Sequence, residues 1–205
     1  MTHQSIKRCA WCSDDDEYCR YHDEEWGTPV ECDNALFEKI CLEGFQAGLS
    51  WITILKRREA FRRAFTNFEI ETVARFSHQK IDVLSQDKTI IRHRGKIQSV
   101  INNAQKTLQI QTEFGSLLTF LLQFWPAVER PATPTASQSP ESIALAKALK
   151  QRGFTFVGAT TMYAFMQSMG FVNDHEPECH AYAKTQTQRQ QFSKSYGLTV
   201  SSRAR

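Results

Sequence analysis

The sequence predicts an all-α protein on three observations. Apolar residues recur at helical spacing in most long segments, start and stop signals bracket several of them, and strand patterning is confined to Phe154 to Val157. The 205 residues, 41% hydrophobic and 11% aromatic, suffice for one core or two small lobes and exclude a disordered chain. No apolar run approaches the ~20 residues that cross a bilayer, and Met1 to Arg8 lack the pattern of a secretion signal, so no membrane partner is expected.

Taken in order, Asp33 is placed to cap a helix carrying Leu36, Phe37, Ile40 and Cys41. A second helix starts at Ser50 or Trp51, with Ile54, Phe61 and Phe65 on one face and arginines opposite. Val73, Phe76, Ile81 and Leu84 form a third periodic stretch and Ile97, Val100, Ile101 and Ala104 a fourth, joined by a tight basic turn from Asp87 to Lys96. Four of the six prolines (126, 131, 134 and 140) mark an irregular connection between Trp125 and Glu141. Ser139 before Pro140 and Glu141 starts the next helix and Gly153 stops it; another runs from about Thr160 to Ser168, ending at Gly170. Residues 1–8 read as a flexible N-terminus, 9–180 as one domain, and 181–205, rich in Gln, Ser, Lys and Arg, as a disordered basic tail.

Charge is segregated along the chain. Residues 9–43 hold 11 acids against Arg20 and Lys39, whereas 55–106 hold 12 bases against 5 acids, so the middle of the chain is suited to a polyanion. Six cysteines without export signals point to a reducing compartment, the cytoplasm, where thiols bind metal or sit in cores. Cys9 and His22 near one end, and His175 and Cys179 near the other, suit a tetrahedral zinc site, although Cys12 and His180 have competing spacings. A filled shell of four protein ligands implies a structural ion and argues against a zinc hydrolase.

The basic turn before a helix offers free backbone N–H groups to a phosphate, with Arg92, Arg94 and Lys96 adding charge. Around the first helix lie Trp11, Tyr18, Tyr21, Trp26, Trp51 and the carboxylate of Glu43, groups able to sandwich a planar ring and pair with its polar edge.

These residues carry a resemblance. Cys9-Ala-Trp11, Tyr21-His-Asp-Glu-Glu-Trp-Gly27, Cys41-Leu-Glu-Gly-Phe-Gln-Ala-Gly-Leu-Ser-Trp-Ile52, Ile90-Ile-Arg-His-Arg-Gly-Lys-Ile97, Gly153-Phe-Thr-Phe-Val-Gly158 and Val172-Asn-Asp-His175 strongly resemble the DNA-3-methyladenine glycosylase I family over residues 9 to 179. The resemblance implies a helix-hairpin-helix fold, with the hairpin lobe at about 50–125 and a zinc lobe built from 9–45 and 140–180. It implies one structural zinc on Cys9, His22, His175 and Cys179, rather than Cys12 or His180. It also implies base recognition by Glu43, Tyr21, Trp51, Trp11 and Tyr18, with Glu43 the catalytic candidate. DNA contacts follow at Gly48, Leu49, Arg92, Arg94, Gly95 and Lys96, with Leu49 entering the duplex gap.

The family usually has Gly where this chain has Thr89, so the turn either avoids a positive φ or changes shape. Helix-hairpin-helix glycosylases mostly carry an Asp some twenty residues past the hairpin; here no acid lies between Lys96 and Glu113, which fits a substrate that is already activated. The expected partner is alkylated double-stranded DNA, the expected state a monomer without nucleotide cofactor. The alternative is a damage-binding module that flips bases and cleaves nothing.

Overall fold

A computed structural model describes residues 6–12, 14–128 and 136–198. Among them the regular structure is helical, with no β-strand. The chain divides into two compact units, one of Met1–Val30, Trp125–Ser137 and Met166–Arg205, the other of Glu31–Phe124 and Gln138–Phe165.

In the first unit, α1 (Asp16–Arg20) is capped by the Asp15 side chain and continues into a π-helical turn, Tyr21–Glu25, whose wider pitch re-aims the side chains that follow. Residues 1–8 were expected to be flexible. The first five lie outside the described residues, while Lys7 O accepts from His180 N at 2.9 Å and Arg8 pairs with Asp23 at 2.7 Å.

The tail expectation is corrected. Tyr182–Ser195 form a helix that buries Thr185, Arg189, Phe192 and Ser193. Composition missed it because polar groups anchor this helix. Arg189 donates to Gly170 O and Phe171 O, both at 2.8 Å, and its guanidinium lies over Trp125, against which Phe171 and Phe192 also pack. Residues 199–205 lie outside the described residues.

The second unit holds α2 (Asp33–Gln46), α3 (Trp51–Leu55), α4 (Arg58–Ala64), α5 (Ile70–Ala74), α6 (His78–Gln86), α7 (Arg94–Phe114), α8 (Leu117–Leu122) and α9 (Pro140–Gln151). Next comes α10 (Ala159–Ser168), whose residues fall in both units, and then, in the first unit, α11 (Tyr182–Ser195). The 21-residue α7 is the axis, with α2, α5, α6 and α8 packed on it. Phe37, Phe45, Phe61, Phe65 and Phe68, each at most 1% exposed, fill the space between. The helix expected from Trp51 onward breaks at Lys56 and Arg57 into α3 and α4.

Asp33 does not cap its own helix. It occupies the first turn of α2, and its carboxylate accepts from Leu117 N and Leu118 N at 2.8 and 3.0 Å, capping α8. The start signal at Ser139 and Pro140 is a capping box on α9. By contrast, 154–157 is no strand: Phe156 has φ +57°, and the Asn103 amide takes both backbone bonds of Thr155 at 3.0 Å. The lobes also differ from the expected partition, since α2 and α9 belong with the hairpin helices and not with the Cys and His residues.

Candidate base and metal sites

The π-helical turn places buried His22 opposite Cys9, and the turn at 173–179 brings His175 and Cys179 to the same point. The four ligand atoms lie within 4.8 Å of one another. Cys9 Sγ is 3.4 Å from His175 Nδ1, and Cys179 Sγ is 3.5 Å from both His175 Nδ1 and His22 Nε2. A tetrahedral zinc with its usual bond lengths separates S and N ligands by about 3.6 Å, so the donor set fits that ion.

The outer partners fix the tautomers. Asp23 Oδ1 can only accept, so His22 Nδ1 carries the proton of their 2.7 Å bond, and Trp26 O likewise makes His175 Nε2 the donor at 3.1 Å. The lone pairs of His22 Nε2 and His175 Nδ1 therefore face the sulfurs. Burial lowers the His175 pKa to about 4, favouring the neutral ligand form, while burial, opposed by Glu176 backbone bonding, pushes the Cys9 thiol up to about 12. Metal binding must expel that proton. Burial also opposes the charge on Asp23, but bonds from Arg8, His22 and His180 outweigh it and hold the carboxyl well below the usual range. Of the two competing ligands, His180 bonds to Asp23, while Cys12 faces Cys19 at 3.8 Å. Trp11, Tyr18 and Trp26 cluster at this centre, with Trp11 5.2 Å from the His22 ring; Tyr21 is buried in the same unit.

In the second unit, Glu43 is 5% exposed, three residues before the end of α2, while Trp51 opens α3. Spacing along the sequence pointed to both. It did not point to Lys39, whose ammonium lies 3.0 Å from Glu43 Oε1 and 3.5 Å from the centroid of the Trp51 ring. The available signal was the i, i+4 spacing of Lys39 and Glu43. Burial pushes the Glu43 carboxyl up, and the Lys39 charge and hydrogen bond oppose the rise. This arrangement holds a cation between a carboxylate and an indole face.

Between α2 and α3 the loop turns at Gly48, φ +81°, and leaves Leu49 41% exposed. At the other candidate DNA element, Asp87 accepts from both the amide and the hydroxyl of Thr89, and the turn runs without a positive φ there, so the usual glycine is not required. Arg92, Arg94 and Gly95 are exposed at the start of α7, where the His93 side chain accepts from Lys96 N. Arg94 also pairs with Asp82.

Lys96 is a correction: the expectation of a phosphate contact is not met. It is 7% exposed, and its Nζ donates to Phe45 O at 2.9 Å and Ala47 O at 2.6 Å, tying down the C-terminus of α2 and the Gly48 loop. Asp174 is buried, accepting from Gln167 Nε2 at 2.9 Å. No helix among the described residues is long and apolar enough to cross a membrane.

Together these features define a helical protein with a buried Cys₂His₂ cluster and a cation-holding carboxylate–tryptophan site. The family model described as methyladenine glycosylase matches residues 11–182, and the chain belongs to that family. It is 47% identical over 184 residues to DNA-3-methyladenine glycosylase 1 of Escherichia coli (strain K12), an alignment covering 86% of this chain and 97% of that protein. Among solved structures, a crystal structure of 3-methyladenine DNA glycosylase I aligns with TM-score 0.81 at 46% identity, covering 86% of this chain and all of that one. The Staphylococcus aureus structure described as showing the basis of 3-methyladenine recognition aligns with TM-score 0.81 at 36% identity, over 86% of this chain and 97% of that one.

Proposed function

We propose that the chain is a monofunctional base-excision repair glycosylase that flips 3-methyladenine out of alkylated double-stranded DNA and hydrolyses its glycosidic bond. The observation that carries this reading is the buried Glu43–Trp51 site, already suited to a cation, in a chain of this family. Methylation at N3 makes the base cationic, so the bond from N9 to C1′ is weak; its electron pair leaves with the base, which departs neutral, as water adds at C1′ and releases its proton to solvent. The task is then mainly one of selection. Glu43 accepts hydrogen bonds from the N6–H edge of the charged base, and the Trp51 face favours its charge over the neutral adenine around it. Tyr21, Trp11 and Tyr18, the other base-binding residues implied by the resemblance, lie in the first unit.

Exposed Leu49, on the Gly48 turn, is the wedge that fills the vacated stack, and the α7 N-terminus with Arg92, Arg94 and Gly95 holds a phosphate, the hairpin role of a helix-hairpin-helix protein. Cys9, His22, His175 and Cys179 would hold one zinc, which serves as a structural clasp. The test is release of free 3-methyladenine from methylated duplex DNA, with bound zinc quantified. We expect release by the wild type and a loss on the order of 100-fold in Glu43→Gln, the scale of removing a preorganised polar group from a buried site. No release by folded, zinc-loaded wild type would overturn the enzyme reading in favour of a binding module.

A further inference from the structure

Lys39 lies in an acidic stretch of sequence, yet the fold buries it, with its side chain 7% exposed and that of Glu43 4% exposed. Its ammonium takes up hydrogen-bond distance to the carboxylate, 3.0 Å, and stacking distance to the indole, 3.5 Å. An N3-methylated adenine held by the same two groups has the same chemical description: a positive charge on the π face, with N–H donors at the carboxylate. We infer that Lys39 is a resident cation of the base site, and that a flipped base enters only by displacing its ammonium from Glu43 and Trp51. This inference rests on the reading of Glu43 and Trp51 as the base site.

Two cations cannot share one buried carboxylate at contact distance without strong repulsion, so the ammonium must withdraw on its flexible four-carbon stem. That withdrawal costs every entering base the same lysine–carboxylate and lysine–indole contacts. A charged base restores both. A neutral base leaves a buried carboxylate without its cation, which is expensive. The lysine thus sets a threshold of affinity that undamaged adenine does not reach, and it keeps Glu43 paired while the site is empty.

The test uses a fixed cation, 3,9-dimethyladeninium, and neutral 9-methyladenine as probes, with binding measured on the wild type, Lys39→Met and Lys39→Arg, and KM and kcat measured on methylated duplex. Lys39→Met, which removes the competitor and keeps an unbranched helix-forming side chain, is expected to bind the cation about tenfold more tightly. It should also lower KM and bring 9-methyladenine into the detectable range. Lys39→Arg keeps a resident cation and is expected to bind as the wild type does. Equal or weaker cation binding by folded Lys39→Met overturns the inference. Should that variant fail to fold, Lys39→Gln, neutral and able to donate to Glu43, carries the same test with the same outcomes. Glu43→Gln and Trp51→Ala separate the two readings. If neither weakens cation binding, the base site itself is wrong; if both do and Lys39→Met does not tighten it, only the role of Lys39 fails.

Discussion

Lys96→Met distinguishes a phosphate ligand from a structural tie. The Nζ group donates to two carbonyls at the end of α2, Phe45 O and Ala47 O, from a site 7% exposed, where burial lowers the lysine pKa. A hydrogen bond from a charged donor is worth about 1.5–3 kcal/mol, and each buried carbonyl left unsatisfied costs about 1–3 kcal/mol. These figures overlap, because they describe the same two bonds. Lost attraction to the negative end of α2 adds up to about 1 kcal/mol, so the variant should lose about 3–4 kcal/mol of stability. Urea denaturation should show a lower midpoint at unchanged m-value. Affinity for duplex DNA, followed by fluorescence anisotropy against salt, should keep its log–log slope, because no phosphate contact has gone. A slope shallower by about 1, with stability unchanged, would refute this reasoning and restore Lys96 to the phosphate site.

Two further outcomes are expected. Arg189→Ala strips Gly170 O and Phe171 O of their 2.8 Å donors and uncovers Trp125, and should cost about 3 kcal/mol in urea denaturation; a change under 1 kcal/mol would mean that α11 docks without it. On the zinc reading proposed above, the wild type should keep one ion per chain against chelator and Cys179→Ser well below one, while Cys12→Ser should retain a full ion, because Cys12 faces Cys19 and stands outside the ligand cluster; equal zinc in Cys179→Ser and wild type would refute the ligand set.

The parts of the site that were legible in the sequence are those in which residue type alone restricts the chemistry. Soft ligand types at Cys9, His22, His175 and Cys179 marked four residues that the fold gathers into one buried cluster, and a glutamate inside an apolar helix marked a buried carboxylate that shares Lys39 with Trp51. What stayed hidden depends on direction. Charge counting gave Lys96 to a phosphate and left Lys39 as one of two bases in an acidic stretch, because a one-dimensional count carries no direction; the fold turns both ammonium groups inward, onto carbonyls and onto Glu43. The helix Tyr182–Ser195 escaped because its anchor is a polar residue, Arg189, in a segment of low hydropathy. Asp33 was read as the cap of its own helix, whereas its carboxylate caps one more than 80 residues later in the chain, a pairing that local capping rules do not reach.

The Cys₂His₂ cluster also bears on the order in which its parts come together during synthesis. Cys9 and His22 leave the ribosome well before their partners His175 and Cys179, which follow 166 and 157 positions later for the pairs in contact. The hydrophobic residues of 31–124 and 138–165 are all available before either partner emerges. Cys9 and His22 are therefore made before the second unit and meet their partners after it, and until then they pass through translation as an open pair of soft ligands.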